Sequence, residues 1–291
     1  MANRLGVVGD PVEHSRSPQL HLAAYDVLGL DWTYERIRVQ RDDLSNFVGG
    51  LDDSWRGLSV TMPLKGEARA LASWSDEASA LTAGANTLVA DQSFPTGGRA
   101  WRAFNTDVSG IEDPLKRLGL TSVSSATIIG AGATAASALV ALVSLKCRLV
   151  HVVVRDVTRA AGIEQLAANL GLAVSIHQLE NLRSVPRTDV VISSIPGSAG
   201  VELRELERET GDVLFDIAYD VWPSVNATDW LARGGIALSG LTMLAAQALI
   251  QVRIFVSGEP GQELESESKI RAAMHAAVGL DETGLVVRSV G

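Results

Sequence analysis

The chain has 291 residues, 46% of them hydrophobic and 20% charged, and a formal net charge of −9. That length holds one large domain or two ordinary ones, with apolar residues enough for a real core. A chain of this sign has no general attraction for nucleic acid or anionic lipid, so neither is expected as a partner and a small-molecule role leads. The opening MANRLGVVGD enters a strand, RLGVVG, with no cationic leader before a long apolar run, so no signal peptide is expected and the location is expected to be cytoplasmic. In chain order, PQLHLAAYDVLGL then reads as helix, TYERIRV as strand, DDLSNFVGGL as helix, GLSVTM as strand, and GEARALASW with EASALT as helix. This alternation predicts a parallel sheet with helices on its faces. After NTDVSGIEDPLKRLG the pattern restarts at SATIIGAGATAASALVALVSL and runs through RLVHVVVRD, TRAAGIEQLAANLG, AVSIHQL, DVVISSIPG and DVLFDIAYD, which implies a second α/β unit. LTMLAAQALIQVRIFVSG and SESKIRAAMHAAVG are helical only. Helices without strands of their own must pack on an existing layer, and folding back over the first domain makes that domain discontinuous.

Smaller features bound the function further. ALVALVSL is too short to span a bilayer. The single cysteine, Cys147, excludes an intramolecular disulfide and reads as a packed core thiol. The five histidines are scattered, and no metal site is expected. The tail DETGLVVRSVG is terminal and contains glycine, so poor order is expected there.

In SATIIGAGATAAS, a strand runs into Gly130, Ala131, Gly132, Ala133, Thr134 and Ala135, and a helix follows. This fits GxGxxA, a small-residue variant of the dinucleotide fingerprint. The first glycine permits the tight turn, the second lets backbone approach a pyrophosphate, and the third small residue permits close helix–strand packing. The bland reading is an ordinary tight turn between strand and helix. The next strand, RLVHVVV, ends at Arg155, Asp156, Val157, Thr158 and Arg159, where such folds read the adenosine ribose. A carboxylate there accepts from the 2′-OH of NAD, whereas arginine accommodates the 2′-phosphate of NADP; Asp156 and Thr158 could instead cap the following helix.

LSVTMPLKG places Lys65 just beyond a strand's carboxyl end, either as a solvated loop lysine or as a proton donor over a pocket. DPVEHSRSP follows the first strand in the same way. Ser15 and Ser17 each offer a hydroxyl that suits a carboxylate or polyol, while Ser17 before Pro18 also makes a good helix start. His14 alone reads as structural. Asp107 reads either as a partner of Lys65 or as a cap for VSGIEDPLKRLG.

Taken together, GDPVEHSRSP, SVTMPLK, GANT, NTD, GAGATAA and GLTMLAAQA are in the order and approximate spacing of the shikimate dehydrogenase family (shikimate and quinate dehydrogenases), which the chain resembles through most of its length. The resemblance implies an α/β protein of two α/β domains. An N-terminal substrate domain (1–106) is completed by C-terminal helices (240–291), and 107–239 form a Rossmann-type NADP-binding domain clamped against it. It implies reversible NADPH-dependent reduction of 3-dehydroshikimate to shikimate, in aromatic amino acid and chorismate biosynthesis, by a monomer or homodimer. It puts the catalytic lysine on Lys65 and its partner aspartate on Asp107. Substrate contacts fall on Ser15, Ser17, Thr61, Asn86, Tyr219 and Gln247. Gly240 and Met243 fall where the family approaches the nicotinamide, alongside cofactor contacts at Gly130, Gly132, Ala133, Arg155, Asp156 and Arg159. The chain departs from the family's usual pattern at Ser59 (asparagine), at Phe104 (an acidic residue) and in NTDVSG, which leaves substrate choice open. It departs again at Val154-Arg155-Asp156, where an Asn-Arg-Thr type is usual, which leaves NADP against NAD open.

Reducing a ketone leaves negative charge developing on oxygen, and a lysine ammonium can both hydrogen-bond that oxygen and protonate it. Two other readings stand beside the main one: an NAD-dependent quinate/shikimate dehydrogenase, suggested by Asp156 and NTDVSG, and a non-catalytic dinucleotide sensor on the same fold.

Overall fold

The computed structural model describes residues 3–91, 100–195 and 201–286. Contacts divide the chain into two units, one of Met1–Gly110 with Leu244–Gly291 and the other of Ile111–Met243.

The first unit begins with β1 (Arg4–Gly9), α1 (Ser17–Leu28), β2 (Thr33–Arg38), α2 (Leu44–Gly49), β3 (Trp55–Val60) and α3 (Lys65–Leu71). It continues with β4 (Trp74–Ser75), α4 (Glu77–Thr82), β5 (Thr87–Asp91) and β6 (Ala100–Phe104), after which α5 (Asp107–Arg117) carries the chain into the second unit. The sheet order is β2-β1-β3-β5-β6-β4. Val8, Leu58, Val60, Leu64, Leu88 and Trp101 pack into one core against α2 and α3 residues. The expected purely parallel sheet is corrected here. β1, β2 and β3 are parallel, but β5 runs antiparallel to both β3 and β6. β4, β5 and β6 lack an isolated sequence signature. Trp74 ends a stretch read as helix, yet it pairs with Arg102, packs its ring on Phe104 at 5.3 Å and lies under the Arg102 guanidinium at 4.5 Å. Pairing across the sheet chose that strand, since short strands draw their stability from cross-strand contacts more than from local propensity.

The second unit contains β7 (Ser125–Ile129), α6 (Ala133–Ser144), β8 (Leu149–Val154), a 3-10 turn at Val157–Ala160, α7 (Ala161–Asn169) and β9 (Ala173–Gln178). A second 3-10 segment, Leu179–Ser184, leads to β10 (Val190–Ser193), β11 (Val213–Asp216), α8 (Val225–Ala232) and β12 (Ile236–Ser239). All pairings are parallel, in the order β12-β11-β10-β7-β8-β9. Renumbered within the unit this is 3-2-1-4-5-6, the doubly wound order whose topological switch point lies between its first and fourth strands, here β7 and β10. Of DVVISSIPG, Pro196 and Gly197 lie outside the described residues. α8 and β12 are short and were not legible as separate elements; Ser224 caps α8 by accepting from the Ala227 N–H at 3.0 Å.

α9 (Gly240–Ser257) leads back to the first unit, and α10 (Glu267–Val278) packs there against α1. By length and hydropathy α9 could cross a membrane, but 67% of it is buried. Its Gln247 and Gln251 are hydrogen-bonded to other buried polar groups, as a core helix requires. In the tail, Asp281 orders the described part by accepting from Thr283 and Leu285; 287–291 lie outside the described residues.

His21 on α1 makes the first unit sensitive to acid. The ring is fully buried, its Nδ1 bonds the Ser17 carbonyl at 2.9 Å, and it stacks on Tyr34 with centroids 4.1 Å apart. Burial, opposed by the bond to Ser17, lowers its pKa to about 4. The unfolded chain therefore binds a proton that the fold refuses. This contribution to stability is present above the unfolded value of roughly 6.5 and is lost as pH falls toward 4. Denaturant titrations at neutral pH and near pH 4 should show the wild type losing about 3 kcal/mol more than His21→Gln over that interval. Equal losses would remove His21 as the cause.

Candidate functional site

β3 ends at Val60 and α3 starts at Lys65, so the lysine stands on the first turn after a strand's carboxyl end. Its Nζ donates to Asp107 Oδ2, with side chains 17% and 6% exposed, which puts the pair largely out of water. Asp107 is the first residue of α5, where a carboxylate suits the helix dipole. The carboxylate faces Lys65 and Asn86: Asn86 Nδ2 donates to Asp107 Oδ1 at 2.8 Å, and its second hydrogen is shared between Thr106 Oγ1 at 2.9 Å and Gln247 Oε1 at 3.1 Å. Asn86 Oδ1 accepts from the Thr106 N–H at 2.9 Å, and the Thr106 hydroxyl donates to Gln247 Oε1 at 3.1 Å. Lys65, Asn86, Asp107 and Gln247 are thus one hydrogen-bonded constellation.

The loop after β1 emerges at the same sheet edge as the loop after β3, because the Asp10 N–H bonds the Met62 carbonyl at 3.0 Å. Ser15 Oγ donates to Ser17 Oγ at 3.2 Å and accepts from the Ser17 N–H at 3.3 Å. Ser17 is the first residue of α1, and no side-chain cap bond is made at that terminus, so the helix-start reading does not consume its hydroxyl. Thr61 is half-buried directly after β3. Ser59, where the family usually has asparagine, accepts from Tyr34 at 2.6 Å and donates to Gln251 at 2.8 Å. Phe104, in place of the usual acidic residue, is buried against Trp74.

In the second unit, Gly130 follows β7 at φ +110°, and a Cβ there would lie 2.5 Å from Ser194 Oγ, so the turn at the switch point requires glycine. Gly132 caps α6, and a Cβ there would point into open space. Ala133 is exposed on the first turn, whereas Ala135 is fully buried against the sheet side. An open backbone cradle at a helix N-terminus fits a pyrophosphate. Arg155 and Arg159 are exposed after β8. Asp156 caps the 3-10 turn, accepting from the Thr158 N–H at 3.0 Å and the Thr158 hydroxyl at 2.7 Å. Those bonds, the hydroxyl's first, hold its pKa below the usual carboxylate value. Tyr219 lies half-buried after β11, and Met243 is buried on α9. A Cβ at Gly240 would sit 1.8 Å from the Ile217 carbonyl oxygen, so only glycine fits the start of that helix. Tyr219, Gly240 and Met243 belong to the second unit and the lysine constellation to the first.

Sequence reasoning did not single out Tyr34, Thr87 or Gln251. One signal was present: Gln247 and Gln251 stand at i and i+4 in a largely apolar helix, on one buried face.

A doubly wound nucleotide unit joined to a unit that carries a shielded lysine–carboxylate pair is the frame of a nicotinamide-dependent oxidoreductase. The family model for the shikimate dehydrogenase substrate binding domain matches residues 7–88, and that for shikimate/quinate 5-dehydrogenase matches 115–230. A shikimate dehydrogenase (NADP(+)) of Gloeothece citriformis is 30% identical over 277 residues, covering 91% of this chain and 94% of the relative. The crystal structure of the Mycobacterium tuberculosis shikimate dehydrogenase is 35% identical with a TM-score of 0.78, covering 94% of this chain and 99% of that one. That of the Thermus thermophilus enzyme, solved with NADP(H) and shikimate, is 26% identical with a TM-score of 0.73 over 94% and 99% of the two chains. The chain belongs to the shikimate dehydrogenase family.

Proposed function

We propose that this chain is an NADP-dependent shikimate dehydrogenase, catalysing the reversible reduction of 3-dehydroshikimate to shikimate. The observation that carries the reading is the Lys65–Asp107–Asn86 constellation. Bound NADPH supplies the hydride. Lys65 hydrogen-bonds the ketone oxygen and delivers its proton as negative charge develops there. Asp107 keeps the ammonium aimed and, with Asn86 and Gln247, meets the ring hydroxyls. Ser15, Ser17 and Thr61 take the carboxylate side, and Tyr219 is a further substrate contact. Gly130, Gly132 and Ala133 hold the pyrophosphate, Arg155 and Arg159 the 2′-phosphate, and Gly240 and Met243 border the nicotinamide. We assign the substrate to the unit of 1–110 and 244–291 and the nucleotide to 111–243. A cytoplasmic location goes with this biosynthetic reading.

The test is absorbance at the nicotinamide band with shikimate or quinate and NADP or NAD, in all four combinations. Shikimate with NADP should turn over fastest. Quinate adds a tertiary hydroxyl beside its carboxylate on a saturated carbon, which crowds the side taken by Ser15, Ser17 and Thr61. Its kcat/KM should be lower by roughly tenfold or more. Equal values for the two acids would sink that part of the assignment, and no turnover with any pair would sink the whole.

A further inference from the structure

We infer that Gln251 is a positioning residue for this reaction, acting through Thr87 on the Asn86 amide and so on Asp107; the inference rests on the function proposed above. The register pairs Ser59 of β3 with Thr87 of β5, and α9 lays Gln251 over both. All of these side chains are buried, so each hydrogen has to be assigned.

The assignment follows from groups that have no choice. The Asn86 main-chain carbonyl can only accept, so the atom 3.0 Å from it is the Gln251 NH₂, Nε2. Oε1 therefore faces Ser59, which must donate to it at 2.8 Å and accept from the Tyr34 hydroxyl at 2.6 Å. The second Nε2 hydrogen goes to Thr87 Oγ1 at 2.9 Å. With its oxygen so engaged, the Thr87 hydroxyl turns its own hydrogen to Asn86 Oδ1 at 2.8 Å. That bond, beside the one from the Thr106 N–H, keeps Oδ1 turned away and Nδ2 turned toward Asp107 Oδ1, leaving Oδ2 for Lys65. Every donor between Tyr34 and Asp107 points the same way. The far end is anchored by packing, since the Tyr34 ring is stacked on His21, and burial drives its hydroxyl's pKa well above the usual phenol value, keeping it a donor. Gln251 touches no reacting atom in this arrangement. Together with the Thr106 N–H, it holds the face of the Asn86 amide that the carboxylate and the substrate meet.

The experiment measures kcat/KM for shikimate with NADP in Gln251→Met, Asn86→Ala and the double variant, well below each melting temperature. Gln251→Met should lose roughly 10–100-fold, the scale of a misplaced active-site group. The same change in the Asn86→Ala background should cost less than about twofold, because the relay then has nothing to orient. A purely structural glutamine would cost the same in both backgrounds, and that result would overturn the inference. Thr87→Val and Thr87→Ser provide the second arm should Gln251→Met fold poorly. The valine keeps the shape without the hydroxyl and should fall by a similar factor, and the serine should restore most of the activity. A fully active Thr87→Val would also overturn it. A wild type inactive with shikimate and NADP would instead remove the functional reading, so the two failures are told apart by the wild-type assay.

Discussion

Lys65→Ala is expected to lower kcat by roughly 10²–10⁴-fold, the usual scale for losing a general acid, with little change in shikimate binding. In the proposed role the lysine acts in the transition state, where the ketone oxygen acquires charge; in the ground state that oxygen is neutral and gains little from the ammonium. Removing the side chain also leaves Asp107 buried without its counter-ion, although Asn86 still donates to Oδ1. Stability should therefore drop as well, and kcat belongs at a temperature where the variant is folded. Asp107→Asn keeps the shape and should cost kcat together with some KM, because it loosens the ammonium and weakens acceptance of a ring hydroxyl. The oxidation of shikimate releases one proton, so each rise of one pH unit should shift the overall equilibrium about tenfold toward the ketone in wild type and variants alike. Near-normal turnover in Lys65→Ala would move the proton donor to another group.

Replacing Arg155 and Arg159 together by alanine should lower kcat/KM for NADP by roughly 10²–10³-fold and leave NAD within about twofold. Charge-assisted hydrogen bonds to a phosphate are worth about 1.5–3 kcal/mol each, and NAD lacks the group that makes them. The wild type should prefer NADP. Asp156 is the residue that could reverse this, and its carboxylate is spent on Thr158. It still carries charge between Arg155 and Arg159 in the chain, so on the proposed cofactor site Asp156→Thr should raise the NADP:NAD ratio further, modestly because the residue is exposed and screened. A wild type that strongly prefers NAD, with the preference abolished in Asp156→Thr, would mean that Asp156 reads the ribose 2′-OH.

These two expectations differ in how far the sequence alone reached. That Lys65 and Asp107 meet was legible because linked motifs pair them, and the end of β3 and the start of α5 are punctuated locally by SVTMPLK and NTD. The direction of Asp156 was not legible. An aspartate one residue past a strand can cap a turn or face a ribose, and only the backbone at Val157–Ala160 settles which hydrogen-bond donors are within reach.

By itself the sequence determined the α/β class, the restart into a second unit, the glycine turn at 130–132 and the dominant strands. Each of these is written in a contiguous stretch as an apolar run, a period or a small-residue spacing. The tertiary structure alone decided the antiparallel turn of the first sheet, since the direction in which β5 runs against β3 and β6 is set by its cross-strand partners rather than by propensity. It alone also joined Tyr34, Ser59, Thr87, Asn86 and Gln251. These come from three strands, β2, β3 and β5, from the residue just before β5 and from the returning helix, and their hydrogen-bond polarity exists only once all are buried together and each buried donor must find an acceptor.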